Sequence, residues 1–133
     1  MIRFIRRDNT GGAAVEFAMV LPVFLCAIIG TAEVGALYFA SAGLKHGVNA
    51  AARNATLHPT PSDAQLKERA LRASFGIERP RLGLILARGS DPDKGDYIRV
   101  TGEYEAQPLT SYVYKRSYAL SETRLVWVQK PPK

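Results

Sequence analysis

A single carboxylate stands inside a long apolar run near the start of the chain. Between Val15 and Thr31 the only charged residue is Glu16, and the next basic residue is Lys45. A stretch of about 20 mostly apolar residues can cross ~30 Å of hydrocarbon, so the run predicts a membrane anchor. Because a charged carboxylate within lipid costs about 2.5–3.5 kcal/mol on insertion scales, we expect Glu16 to have a partner.

Two glycines that precede the run offer such a partner. If a protease cuts after Gly11, Gly12 gains a free cationic amine one helical turn from Glu16. The N-terminus of a helix also carries partial positive charge and unpaired N–H groups, which favour a carboxylate. The carboxylate bound there is either the chain's own Glu16 or the Glu16 of a neighbouring subunit.

These residues belong to a longer pattern that resembles a known family. The pattern is a short basic leader ending in glycine, a glutamate at the fifth mature position, Phe17 beside it and Pro22 within the apolar helix. In full, GGAAVEFAMVLPVF followed by IIGTAEVGALYFASAGLKHGVNAAARNAT is similar to the TadE-like family, the minor pilins or pseudopilins of tight-adherence (Tad, Flp-type) pilus systems. The resemblance is close over residues 11–56 and looser over the rest of the chain.

The resemblance implies a function in pilus assembly, with links to cell adhesion and protein secretion. A prepilin peptidase would cut between Gly11 and Gly12, and Glu16, Phe17 and Pro22 would take part in subunit contact and assembly. The implied partners are other pilins, both major and minor, the Tad inner-membrane platform proteins and the peptidase, and no cofactor is implied. Pro22, which removes a helical hydrogen bond, is interpreted either as a source of helix plasticity or as a tolerated transmembrane proline.

The leader predicts the orientation of the anchor. Arg3, Arg6 and Arg7 precede the apolar run against a single Asp8, a bias that keeps the N-terminus in the cytoplasm. The C-terminal domain is then periplasmic or extracellular, carried by a single span of the inner membrane. A cleaved secretory signal, cut after Ala42, is an alternative, but helical periodicity continues through that site.

The helix is expected to run from near Ala13 to about Leu57, before Pro59. At ~1.5 Å per residue this is ~65 Å, about twice the hydrocarbon thickness, so the second half must act as a stalk. We therefore divide the chain into a leader (1–11), a transmembrane and stalk helix (12–57) and a small exported α+β domain (58–133). Glu33 is placed near the far membrane interface, where it marks the end of the span or binds a basic partner.

Two stripes on the stalk predict how it packs. One is a heptad-like seam and the other is a face of small residues that allows close helix approach. Packing between subunits and packing against the chain's own domain are both open. The seam consists of Leu37, Ser41, Leu44, Val48, Ala51 and Ala55, and the small face includes Ala32, Ala36, Ala40, Gly43 and Gly47.

The remaining residues predict a short helix and three antiparallel strands. Ser62 and Gln65 form a capping box that opens a helix over residues 63–75. Strands are predicted over residues 82–87, 97–104 and 118–128, the first two joined by the turn-rich segment 89–96. With the stalk, these elements make a pilin-like α+β fold.

Composition excludes several other functions. The net charge is +6 and the sequence pI is about 9.7, but the basic residues are scattered, so nucleic acid is not expected as a partner. Cys26 is the only cysteine, so no internal disulfide can form. His46 and His58 lack further ligands at metal-binding spacing, and the Asp-rich segment 90–96 is interpreted as a hairpin turn rather than a calcium loop.

Two other classes of function stay open. The first is an uncut single-span membrane protein whose outer domain is a binding module; an intact Met1 on the functional form would favour it. The second is an exported enzyme, for which the sequence offers no set of catalytic residues.

Overall fold

The computed structural model of the chain describes residues 10–57, 59–108, 110–111 and 115–128. The elements in chain order are helix α1 (Thr10–Ala55), helix α2 (Asp63–Ala73), a 3-10 turn (Arg79–Arg81), and strands β1 (Leu82–Asp91), β2 (Gly95–Ala106) and β3 (Tyr118–Trp127). The predicted α+β fold, with a long N-terminal helix, a short helix and a three-stranded antiparallel sheet, is confirmed. The leader arginines Arg3, Arg6 and Arg7, together with His58, lie outside the described residues.

Helix α1 is one element of 46 residues, roughly 69 Å long, and it continues through Pro22. It ends two residues before the predicted Leu57. At that end Thr56 N donates to Arg53 O at 3.3 Å and Leu57 N donates to Asn54 O at 3.1 Å, a tightening of the last turn that terminates the helix before the prolines.

Helix α2 begins with the predicted capping box. Ser62 N donates to Gln65 Oε1 at 3.0 Å, and Gln65 N donates to Ser62 Oγ at 3.4 Å. The helix ends at Ala73, two residues before the predicted Phe75. Both the backbone N–H and the hydroxyl of Ser74 bond to Ala70 O, at 2.9 and 2.7 Å, while the backbone of Ser74 is extended. The serine therefore closes the last turn and leads the chain out of the helix.

The sheet has the order β1-β2-β3, with antiparallel pairing throughout. Both hairpin strands are longer than predicted because the turn between them uses only residues 92–94. Asp91 Oδ1 accepts N–H bonds from Asp93 and Lys94, each at 3.0 Å, and Gly95 has a φ of +92°. This arrangement is an ordinary hairpin turn with an aspartate at its first position.

The core lies between the second half of α1, α2 and one face of the sheet. Side chains alternate along the strands, so that Ile98, Val100 and Tyr104 of β2 point into the core while Leu125 and Trp127 of β3 point outward. At Gly102 the sheet comes so close to α1 that an added Cβ would lie 2.6 Å from Val48 and 2.9 Å from Leu44. The helix residues that are buried here are Ala40, Leu44, Val48, Ala51, Ala52 and Ala55.

Candidate assembly site

The first part of α1 projects beyond the folded domain. Over residues 11–36 no residue is buried, and only Leu21 and Glu33 are half-buried. This stretch is roughly 39 Å long at 1.5 Å per residue, somewhat more than the hydrocarbon thickness of a bilayer. Its most apolar window has a mean hydropathy of 2.3, and among the described residues α1 is the one helix long and apolar enough to cross a membrane.

Glu16 and Phe17 lie on this projecting segment. Both are exposed, and Phe17 keeps 65% of its surface accessible. Glu16 makes no hydrogen bond or ion pair with any residue whose structure is described. Gly12 lies one helical turn earlier, at an axial distance of ~6 Å. The structure therefore presents the glutamate and the predicted cleavage position on one exposed helix face.

The glycines of the projecting segment have open space around them. A Cβ added at Gly11, Gly12, Gly30 or Gly35 would meet no atom within 4 Å. Packing within the described part of the chain therefore does not explain why these positions are glycine.

The glycines of the packed half of α1 are in the opposite situation. A Cβ at Gly43 would overlap the carbonyl oxygen of Phe75, and one at Gly47 would overlap the hydroxyl of Ser74. The two glycines let the end of α2 and the residues that follow it approach α1 closely, within the same chain. Of the other small residues on this face, Ala40 is buried and Ala36 is exposed.

The heptad-like seam also packs against the chain's own domain. Leu44, Val48, Ala51 and Ala55 are buried there, and Leu37 and Ser41 are half-buried. Of the two arrangements that the sequence left open, the structure shows packing against the chain's own strands and second helix.

Glu33 lies at the boundary between the projecting and packed parts of α1. Thr110 Oγ1 donates a hydrogen bond of 2.9 Å to Glu33 Oε1, in a half-buried position. Pro108 and Arg116 line the same cavity. Sequence analysis placed Glu33 at the far interface but did not find Thr110, since a single threonine 77 residues away gives no local signal.

Pro22 is exposed on the projecting segment and lies within continuous α-helix. A proline has no N–H, so the carbonyl of Ala18 lacks its usual helical donor. Ala18 and Pro22 are both exposed, so this backbone acceptor lies on a part of the helix that the described domain does not cover.

Comparison with known proteins gives one family. No curated protein and no solved structure matches the chain. The matching family model covers the projecting segment and most of its packed continuation, and it stops two residues before the end of α1. Residues 11–53 match the model described as TadE-like protein, and the resemblance predicted from the sequence is confirmed over that segment.

Proposed function

We propose that this protein is a minor pilin or pseudopilin of a Tad-type pilus. Its TadE-like segment associates it with that pilus in general. In the proposal, a prepilin peptidase cuts after Gly11, and the N-terminal helix then assembles with other pilins to initiate or support the filament. The observation that carries the proposal is Glu16, an exposed carboxylate in a membrane-length helix with no partner among the described residues.

The open glycines support processing at Gly11. A glycine within a helix is less favourable than an alanine by about 0.8–1.0 kcal/mol, and two in succession make local unwinding correspondingly easier. Since no contact in the described chain needs Gly11 or Gly12 to be glycine, a requirement outside the chain explains them better. A peptidase that must draw the backbone into its active site is such a requirement.

Cleavage would give Glu16 the partner that it lacks. The new amine of Gly12 adds a full positive charge to the positive end of the helix. In a low-dielectric surrounding this charge attracts a carboxylate more strongly than it would in water. When the carboxylate belongs to a neighbouring copy, the pairing requires an axial shift of ~6 Å between the two helices, which is the rise from residue 12 to residue 16. The same contact would then set both the partner and the stagger.

The proposed anchoring places the domain just outside the bilayer. With Gly12 at the cytoplasmic interface, about 20 residues bring the helix to the opposite interface near Ala32. Glu33 and its bond to Thr110 then lie at that interface, where a carboxylate can stay hydrated. The basic leader on the cytoplasmic side agrees with this orientation.

The experiment that tests the proposal is mass spectrometry of the N-terminus of the protein from native membranes, with and without the prepilin peptidase. We expect a start at Gly12 only when the peptidase is present. A start at Met1 in both samples would favour a permanently anchored protein with a binding module, and a start at Gly43 would indicate a cleaved secretory signal.

A further inference from the structure

A groove of about 500 Å³ runs between α1 and α2 on the side of α1 that faces away from the sheet. Its charged and polar lining consists of His46, Asn49, Arg53, Asn54 and Arg69. The α1 residues among these lie about half a helical turn around from Leu44, Val48 and Ala51, which face the sheet. No carboxylate lines the groove among the residues that the structure describes.

The two arginines of the groove have their charges available. The ion pairs found in the described ranges involve Arg72, Arg81, Arg88 and Arg124, but not Arg53 or Arg69. The guanidinium group offers a fork of donors that fits a carboxylate, and two of them on facing helices favour an anionic occupant. His46 is held at the end of the groove, where its Nδ1 lies 2.9 Å from Ala73 O.

The β1–β2 hairpin carries the complementary charge. The carboxylate of Asp91 is already hydrogen-bonded within the turn, where it accepts two backbone N–H bonds. Lys94 leans over the ring of Trp127, with its Nζ 5.9 Å from the ring centroid. The exposed carboxylates of Asp93 and Asp96 are left at the tip.

The acidic tip of the hairpin cannot contact the basic groove of the same copy. The hairpin extends the sheet layer, whereas the groove opens on the opposite side of α1. Gly102 packs at the level of Val48, and the strand rises about 3.3 Å per residue from there to the tip. The tip therefore lies roughly 10–20 Å further from the membrane end than the middle of the groove, allowing for strand tilt.

We propose that the acidic hairpin tip of one copy docks in the basic groove of a second, parallel copy that is displaced outward along the helix axis. The inference rests on the proposed function, because anchored helices make neighbouring copies parallel. Such a contact joins two different surfaces, so it propagates from copy to copy instead of closing into a dimer. Copies at equal depth in the bilayer would have the tip roughly 10–20 Å beyond the neighbouring groove, so the contact joins copies with a larger stagger than the ~6 Å of a Glu16–Gly12 pair, and these are not the two copies that share that pair.

Charge reversal in the full-length protein tests the docking. We expect that R53E/R69E alone, or D93K/D96K alone, lowers the amount of protein recovered in assembled filaments about tenfold or more, since like charges would then face each other. Combining the four changes should restore assembly. Lys67→Glu is the matched control, because Lys67 is exposed on α2 and does not line the groove.

Cross-linking gives a second, independent measurement. In a Cys26→Ser background, Arg53→Cys and Asp93→Cys should yield a ladder of disulfide-linked copies under mild oxidation, and only in assembled material. Dimers formed equally in unassembled membranes would overturn the staggered arrangement.

The outcomes separate this inference from the proposed function. A chain that is cut after Gly11 and assembled, yet insensitive to all four charge reversals, would overturn the docking and leave the pilin role standing. An uncut chain would fail the pilin role itself. If R53E/R69E abolished retention on immobilised DNA while D93K/D96K had no effect on assembly, the groove would be a nucleic-acid site and the docking inference would be wrong.

Discussion

The two halves of α1 are one continuous helix with opposite surroundings. Residues 11–36 are almost wholly exposed, whereas from Ala40 onward one side of the helix is buried in the core. Both halves contain glycines and alanines at helical spacing. In the packed half, the end of α2 and the residues after it fill the space beside Gly43 and Gly47, whereas in the projecting half no described residue fills the space beside Gly12 or Gly30.

This difference shows that a stripe of small residues indicates close packing but does not identify what packs against it. For Gly43 and Gly47 the partner is the end of α2 and the segment that follows it in the same chain. For the first half, any partner must come from outside the described chain, and its apolar surface suits a lipid bilayer or another apolar helix. Substitutions in matched pairs, one from each half, test the contrast.

The largest effect is expected from Glu16→Ala. We expect this change to leave membrane insertion and domain stability intact but to abolish incorporation into pili, because it removes the carboxylate proposed to bind a Gly12 amine. The measurement compares protein in sheared pili with protein in membranes. Normal pili in the variant would remove Glu16 from the assembly mechanism, and Glu16→Gln separates the loss of charge from the loss of side-chain volume.

A leucine from each half gives the next largest contrast. Leu44 is 2% exposed in the core and Leu25 is 46% exposed on the projecting segment. Leu44→Ala should lower the free energy of unfolding of the domain by about 2–5 kcal/mol, because it leaves a cavity. Leu25→Ala should change it little. Denaturant unfolding in detergent, followed by circular dichroism, compares the two, and similar losses would contradict the division of the helix.

The glycines provide a smaller contrast. Gly43→Ala should lower the free energy of unfolding by about 1–3 kcal/mol, since the added methyl group overlaps the Phe75 carbonyl and displaces the segment that follows α2. Gly30→Ala meets no atom and should slightly stabilise the helix. A thermal melt of both variants checks the signs. Destabilisation by Gly30→Ala would reveal a contact absent from the described chain.

The smallest effect is expected at the junction of the two halves. Thr110→Val removes the hydroxyl that donates to Glu33 and keeps the shape of the side chain. The expected loss is about 1 kcal/mol, since the site is only half-buried and water can replace the donor. Thr123→Val is a control for the loss of an exposed hydrogen bond, because the Thr123 hydroxyl pairs with the Thr101 hydroxyl on the outer face of the sheet.

Local chemistry predicted much of the fold. The capping box at Ser62 and the alternation in β2 depend on neighbours within a few residues, so their patterns can be recognised in the sequence. The predicted end of α2, Phe75, was two residues too late. The helix ends at Ala73 because the side chain of Ser74 bonds back to Ala70, an alternative to continuing the helix that the sequence does not reveal. Strands β1 and β2 were predicted too short because the sequence did not show that the turn needs only residues 92–94. The turn is this tight because the side chain of Asp91 accepts two of its backbone N–H bonds.

Contacts between distant residues could not be predicted. The bond between Thr110 and Glu33, and the approach of Phe75 to Gly43, depend on how the elements pack. The two stripes on the stalk were recognised in the sequence, but the surface against which they pack could not be predicted. A seam has the same sequence pattern whether it packs within one chain or between chains. For the candidate site, the sequence singled out Glu16 and Gly12, and the structure adds that both are accessible.

The continuity of α1 gives the molecule a mechanical property. The helix is unbroken from Thr10 to Ala55, and its last third packs in the core. The projecting segment and the domain are therefore expected to tilt together. A tilt of ~20°, common for membrane helices, would swing the far end of a ~69 Å helix sideways by roughly 24 Å. A small change of inclination within the bilayer would therefore decide which neighbours the outer surface can reach, and a pull on that surface would be transmitted directly to the anchored end.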